Sequence, residues 1–321
     1  MVDLTKIDYE SSHLSQGSMT KRFVVTDKGK YIFKANKDFS FKYESPTSFG
    51  EVFYSRVCEI LGCDCVNAEF ADMYIGGFLS HGALIGYYIT NENMEAVSFG
   101  DIVRMINKCG FYPVSDSMNV DNIVSITKTF AKSKGLKFDD VNVATSLTKL
   151  TILDYFFAQT DRHSDNIEFL IEGDKMTLAP IFDNGFCFNL WRKKRDDKLY
   201  ASDENEKYLA TGNPQYMKIH KPEYESSEPC NELARQISSE VKSNPDIKRF
   251  VSKIYALDMD EILNDVYNES QKNFGEDYVD NCAVVFNYRK QLLSEYIKNY
   301  DAVNVATQSV NRQKEEGLQK I

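Results

Sequence analysis

The chain has 321 residues, enough for two lobes that each bury a core. Its 42% hydrophobic and 13% aromatic content excludes wholesale disorder. A formal charge of −10 argues against broad nucleic-acid binding, which needs lysine and arginine to meet phosphates.

No apolar run reaches the roughly 18 residues a membrane helix needs, and the polar, acidic start Met1–Glu10 carries no signal-peptide pattern. The seven cysteines show no paired spacing typical of a secreted disulfide framework. Cys63 and Cys65 form one close pair without a second pair or a histidine to complete a zinc set, so buried thiols are the plainer reading. A cytoplasmic protein is expected, with export by a route lacking a cleaved signal left open.

In chain order, Ser15-Gln-Gly17-Ser18-Met19-Thr20-Lys21 is a small-residue loop able to offer backbone N–H groups and hydroxyls to phosphate oxygens. A hairpin follows, Arg22–Thr26 and Lys30–Ala35, turning at Asp27-Lys28-Gly29. Alternation puts Lys34 on the face of Ile32, away from Tyr31 and Phe33. Lys34 is then either solvated or an inward charge that requires partners. A helix is predicted over Ser48–Gly62 with a stripe of Val52, Phe53, Val57, Ile60 and Leu61. Its Glu51 has two open roles: partner of Lys34, or member of a capping box with Ser48.

Two strands, Val66–Ile75 and Phe78–Thr90, flank a tight Gly76-Gly77 turn. His81 has no acidic neighbour in sequence and reads as structural or exposed. The polar run Thr90–Asn93 marks the change from mostly strand to mostly helix, hence a lobe boundary with a ligand cleft beside it. Helices follow over Phe99–Cys109 and Val120–Ser133, each stopped by a glycine. A longer helix capped by Thr145 or Ser146 runs to Gln159, apolar nearly all round and therefore buried.

The most informative stretch comes next. Asp161-Arg-His163-Ser-Asp-Asn166 lies between two apolar runs, and Asp183-Asn-Gly185 follows another. A second hairpin, Ile167–Glu172 and Lys175–Phe182, folds Asp183 back beside Asn166. One carboxylate and one amide oxygen beside phosphate oxygens suit Mg²⁺, which takes oxygen ligands and keeps waters. An Asp, an Asn five positions on and a later Asp-x-Gly is the spacing of phosphoryl-transfer sites. From Asn184 to about Pro229 a long irregular segment carries the basic run Trp191–Arg195, either a solvated face or a contact for an acidic substrate, phosphate or lipid. Residues 230–299 read as helices and the end as a polar tail.

The Asp161–Ile167 and Phe182–Gly185 motifs resemble the catalytic and metal loops of the phosphatidylinositol 3/4-kinase-like branch of the kinase fold. Within it the chain is similar to the HipA-like bacterial serine/threonine kinases. The phosphate loop lies close to the start of the chain, which fits the short, cell-translocating-kinase-like form. The resemblance spans Ser11–Phe188 in motif order, and implies an α+β, two-lobed protein-kinase-like fold. A small β-rich N-lobe would occupy residues 1–91, a larger mainly helical C-lobe 92–300, and a polar tail 301–321.

It implies that Asp161 orients and accepts the proton of the acceptor hydroxyl, with His163 bracing the loop or meeting the γ-phosphate. Asn166 and Asp183 would hold Mg²⁺. Lys34, supported by Glu51, would contact the α- and β-phosphates of ATP. Gly17, Ser18, Met19 and Thr20 would cover the triphosphate, with Ile89 and Asn91 completing the nucleotide contacts. Ser15 or Ser18 would be the site of autophosphorylation. The chain departs from the wider kinase pattern in lacking a Gly-x-Gly-x-x-Gly loop and in having Asn184 where an aromatic usually follows the metal Asp.

The expected activity is an ATP- and Mg²⁺-dependent serine/threonine kinase acting on a protein or on itself. A phosphoinositide or small-molecule kinase and an inactive binding module of the same fold are the alternatives. An antitoxin or host partner stays unidentified.

Overall fold

The computed structural model describes residues 2–4, 21–26, 29–36, 47–89, 92–108, 118–159, 161–188, 229–270 and 278–298. The first sheet contains β1 (Val2–Asp3), β2 (Lys21–Thr26), β3 (Gly29–Ala35), β4 (Ala68–Ile75) and β5 (Phe78–Gly86), in the order β1-β4-β5-β3-β2. Gly76 and Gly77 take φ of +59° and +84°, the left-handed pair a two-residue hairpin between β4 and β5 demands. Across β2 and β3 the register sets Lys21 opposite Lys34. Period-two alternation sends Phe33 and Ala35 into a small core with Val24, Met73 and Leu84. Lys34 and Ile32 point the other way, into a cleft.

Helix α1 (Thr47–Leu61) covers that second face. Its stripe joins a large core shared with the end of α4 (Asp140–Phe156) and with the helices Pro229–Ser243, Pro245–Tyr255, Met259–Glu269 and 278–298. The Phe53 ring meets those of Phe157 and Phe188, each at 5.1 Å between centroids. The Phe188 N–H donates to the Phe157 carbonyl at 2.6 Å. Those two residues bracket the motif stretch, so α1 packs against both of its ends.

The second sheet has the order β6-β8-β9-β7, formed by β6 (Met94–Ser98), β7 (Lys137–Phe138), β8 (Glu168–Glu172) and β9 (Lys175–Leu178). Of this sheet only the β8–β9 hairpin is expected from sequence; β6 and β7 are short, and their pairing to it is tertiary. Helices α2 (Phe99–Lys108), α3 (Val120–Ser133) and α4 pack with this sheet around Phe99, Ile123, Leu147 and Phe169.

Helix α4 begins earlier than expected. Asp139 caps it, accepting from the Asn142 N–H at 3.0 Å, and Thr145 Oγ1 bonds back to the Val141 carbonyl at 2.9 Å. It also stops earlier, because Ala158 adopts φ of +48°. His81 does find an acid: strand register brings its Nδ1 to 2.6 Å from Asp72 Oδ1.

The architecture is thus α+β, a strand-rich N-terminal part followed by a mainly helical one, as the sequence implied.

Candidate active site

A cavity of about 320 Å³ opens between the first sheet and the β8–β9 side of the molecule, at the low end of ligand-pocket sizes. Lys21, Lys34, Glu51 and Asp183 line one end. Tyr87, Tyr88, Ile89 and Glu168 line the other, with Ile32, Ile85 and Phe182 as apolar walls. The cavity is therefore polar and charged at one end and largely aromatic and aliphatic at the other.

At the charged end Lys34 is 3% exposed and lies between two carboxylates. Its Nζ is 2.7 Å from Glu51 Oε1 and 2.5 Å from Asp183 Oδ1. Burial alone would lower the Lys34 pKa, but the Asp183 and Glu51 charges outweigh it and hold it above its ordinary value. Burial likewise acts to raise Asp183, and the ammoniums of Lys34 and Lys21 outweigh it and hold the acid below the usual carboxylate range. Lys21 Nζ is 3.7 Å from Asp183 Oδ2.

The two open roles of Glu51 are decided by where its oxygens go. One accepts from Lys34, and Oε2 accepts the Asn184 N–H at 2.9 Å. Ser48 Oγ has no hydrogen-bond partner among the described residues, so Ser48 and Glu51 form no capping box; instead the Ser48 N–H donates to Asn36 Oδ1 at 2.9 Å. The helix start is satisfied from a neighbouring strand end, which releases the Glu51 carboxylate to the cleft.

Asp183 itself has φ of +53°, a left-handed conformation tolerated by Asp better than by most residues. Its flanks hold it there: Gln159 Nε2 donates to the Asp183 carbonyl at 3.1 Å, and Glu51 takes the next N–H. Gly185 has a packing reason. A Cβ there would lie 2.9 Å from Thr47 Cβ and 3.2 Å from Glu51 Oε1. Gly50 faces it from α1, where a Cβ would come 2.8 Å from the Gly185 carbonyl oxygen. Backbone meets backbone at this point, and that closeness lets Glu51 reach Lys34.

Asp161 is half-buried. Burial pushes its carboxyl up from the ordinary value and the Asp183 charge adds to this, against the opposing fields of His163, Lys34 and Arg162. Asn166 turns its amide nitrogen to the Asp161 carbonyl at 2.7 Å. That orientation leaves Asn166 Oδ1, the atom a hard cation uses, without a protein partner among the described residues. His163 Nδ1 accepts the Asp165 N–H at 3.2 Å. Asp165 is turned away, bound by Arg104 Nη2 at 2.8 Å and Ser98 Oγ at 3.2 Å.

Three residues outside the predicted catalytic, metal and nucleotide set have side chains that organise the site. Arg162 is fully buried and donates to Asp154 Oδ2 at 2.9 Å, Asp154 Oδ1 at 3.1 Å, the Phe182 carbonyl at 2.7 Å and Asn184 Oδ1 at 2.7 Å. Asp154 also accepts from Tyr54 of α1 at 2.8 Å. One guanidinium thus fastens α1, α4, the Asp161 loop and the Asp183 segment. The signal was present in Asp154, an acid set among the apolar residues Ile152, Leu153, Tyr155 and Phe156 near the end of α4, which burial obliges to find a cation. Gln159 and Lys21 are the others, and nothing local distinguishes them.

At the far end the Tyr88 hydroxyl donates to Glu168 Oε2, linking the strand exit after β5 to β8. Burial pushes the Glu168 carboxyl up, with the Tyr88 hydrogen bond opposing.

The structure therefore brings Lys34 into direct contact with Glu51 and Asp183, sets Asp161 within the fields of Lys34 and Asp183, ties Asn166 to the Asp161 carbonyl and puts Ile89 in the lining of the same cavity. Gly17, Ser18, Met19, Thr20 and Asn91 lie outside the described residues, as do Ser15 and the Trp191–Arg195 run. Among the described residues no group of three or more His, Cys, Asp or Glu side chains is arranged to hold a metal, and no helix is long and apolar enough to cross a membrane.

No protein-family model and no curated protein matches the chain. Among solved structures it is similar to the Helicobacter pylori proinflammatory kinase CtkA, with a TM-score of 0.69 and 15% identity over 94% of this chain and 98% of that one. HipA, in its complex with HipB and operator DNA from the Shewanella oneidensis MR-1 toxin–antitoxin system, matches at a TM-score of 0.44 and 11% identity over 89% of this chain and 65% of that one. The first likeness shows that the fold is that of a kinase.

Proposed function

We propose that this protein is an ATP- and Mg²⁺-dependent phosphotransferase, a serine/threonine protein kinase able to phosphorylate itself. The observation that carries the reading is the contact of Lys34 with both Glu51 and Asp183 at the charged end of a cleft lined elsewhere mainly by aromatic and aliphatic side chains. A nucleotide has the same polarity: an apolar base, then a chain of anions.

In this reading Lys34 holds the α- and β-phosphates, and Glu51 keeps its ammonium aimed into the cleft. Lys21 adds positive charge on the same side. Asn166 Oδ1 and the Asp183 carboxylate are the atoms that would hold Mg²⁺, and the Asn166 orientation fits that use. Bound there, the ion would neutralise charge on the phosphate oxygens. Nucleotide entry would then divide the Lys34–Asp183 pair, leaving the ammonium free for phosphate and the carboxylate free to help hold Mg²⁺. Asp161 accepts a hydrogen bond from the acceptor hydroxyl, orients it and takes its proton as the new P–O bond forms and the bond from the γ-phosphorus to the bridging oxygen breaks, releasing ADP. Its raised pKa suits a base better than an ordinary aspartate. Arg162 and Gln159 act through other groups: they hold the Asp161 and Asp183 segments at fixed separation, and position is most of what this reaction asks of a protein.

Residues 17–20 and Asn91 are assigned to the nucleotide as well, and Ser15 or Ser18 to autophosphorylation. The lobe boundary is placed after residue 91, because β1–β5 share one sheet while Met94–Ser98 pairs with Glu168–Glu172 in the other.

The test is transfer of label from radiolabelled ATP with Mg²⁺, to the protein itself, to protein acceptors and to phosphoinositide vesicles, followed by mass spectrometric location of the phosphate. Phosphoserine or phosphothreonine lost in Asp161→Asn is the expected result. Label confined to lipid overturns the acceptor class, and undiminished transfer in Asp161→Asn overturns the base.

A further inference from the structure

Helix α1 ends Cys58-Glu-Ile-Leu-Gly-Cys63. Gly62 takes φ of +70°, its N–H donates to the Glu59 carbonyl at 3.2 Å, and the Cys63 N–H donates to the Cys58 carbonyl at 2.8 Å. These two bonds define a Schellman stop, in which the second residue past the helix packs its side chain against the residue that accepts its N–H. Apolar side chains usually make that contact. Here both positions are cysteine.

The Cys58 thiol is buried, and Cys63, whose N–H meets the Cys58 carbonyl at 2.8 Å, is partly covered, as is Cys65. The charged groups that face Cys63 are Lys149 of α4, Lys253 of the helix Pro245–Tyr255, and Asp64. The hydrogen bond from Cys58 and the two ammoniums hold the Cys63 thiol below its ordinary pKa, against burial and Asp64. Cys58 shifts the other way, pushed well up by sharing its proton with its two neighbours and by burial. One sulfur is thus reachable and the more readily ionised, and the next holds a proton beside it.

The cluster also touches the cleft. Asn184 Nδ2 donates to Cys65 Sγ at 3.7 Å. The Val66 N–H donates to the Ile181 carbonyl and the Ile181 N–H to the Asp64 carbonyl, each at 2.9 Å. Residues 64–66 are thereby stitched to the segment that ends in Asp183.

We propose that Cys63 is a site of oxidation by hydroperoxides, with Cys58 as its resolving thiol, and that the resulting disulfide alters the Asp183 segment through Cys65. The Cys63 sulfur attacks the peroxide: an S–O bond forms, the O–O bond breaks, and the departing hydroxide leaves as water after taking a proton. The Cys58 sulfur then attacks Cys63, forming S–S as S–O breaks, and its proton leaves with the hydroxide as a second water. Two thiols lose two electrons and one peroxide gains them. A disulfide needs Cα atoms within about 4.4–6.8 Å, a separation the close packing of the motif favours. The covalent step stands apart from the kinase reading; only its consequence for the cleft rests on it.

The full-length protein is treated with hydrogen peroxide, its remaining thiols are alkylated, and the bond is located by fragmentation of the unreduced peptide. A Cys58–Cys63 disulfide, reversed by dithiothreitol and lost in Cys63→Ser, is expected. Free, alkylated Cys58 and Cys63, or a bond joining Cys63 to Cys65 instead, overturns the assignment. Hydrogen exchange over residues 181–188 reads the second half: faster exchange in the oxidised form that returns on reduction is expected, and unchanged exchange with the disulfide present overturns the coupling. Neither readout requires phosphotransfer, so both hold in Asp161→Asn.

Discussion

Lys34 and Asp183 stand 149 residues apart in sequence and 2.5 Å apart in space. Lys34 also meets Glu51, so one buried cation neutralises two carboxylates drawn from a helix and a distant turn. Removing the cation leaves Glu51 without a counterion and Asp183 with Lys21 alone, 3.7 Å away. Lys34→Met is expected to destabilise the protein by about 3–5 kcal/mol, the usual cost of breaking a buried pair, and to abolish ATP binding. Thermal unfolding and nucleotide titration measure the two effects separately.

The pair also shapes stability against pH. Asp183 is held below its unfolded value, so its contribution is present above about pH 3.9 and is lost as pH falls through the lower folded pKa. Lys34 is held above its unfolded value, so its contribution is present below about pH 10.4 and is lost as pH rises through the higher folded pKa. Unfolding midpoints should show a contribution from this pair across the range between those limits, and Lys34→Met should remove it.

Arg162 is expected to be as important for the fold as for the site. Arg162→Met strands Asp154 in an apolar core and should cost about 3–5 kcal/mol. Tyr54→Phe removes one hydrogen bond to the same acid and should cost about 1 kcal/mol. Denaturant midpoints of the two variants check the ranking; equal effects would refute the hub.

Gly50 tests the backbone contact that brings α1 to the Asp183 segment. Gly50→Ala places a methyl against the Gly185 carbonyl with no side chain free to move aside, and should cost about 1–3 kcal/mol. Because the strain falls between Glu51 and Asn184, phosphotransfer should drop more than stability. Parallel assays of activity and unfolding decide this.

If Asp161 is the base, as proposed, it sets the acid side of the rate profile. Its carboxyl is pushed up by burial, so activity should fail on acidification at a pH above the ordinary aspartate value near about 3.9. Asp161→Asn should lower the rate by about 10²–10⁴-fold and remove that limb. A pH series on both proteins reads the difference.

Much of this was legible beforehand for a reason. The hairpin of β2 and β3, the Gly76-Gly77 turn, the stripe of α1 and the Asp161–Asn166 and Asp183–Gly185 spacings are local patterns, set by side-chain alternation, helical period and turn chemistry. The N-terminus of α4 was misplaced because Asp139 and Thr145 are both competent caps and sequence alone does not rank them. The strands β6 and β7 were missed because two to five residues carry no period of their own.

By itself, then, the amino-acid order determined which residues had the chemistry: a lysine in a strand, an acid on the next helix, and an Asp, Asn and Asp around a hairpin. Tertiary packing alone decided what each one does. Glu51 could cap or pair, and it pairs because Asn36 satisfies the helix start and two glycines let α1 approach the Asp183 turn. Arg162 became the hub because a buried charge must find its counterion across space, and the distance between Asp154, Phe182 and Asn184 is fixed only when the chain has folded.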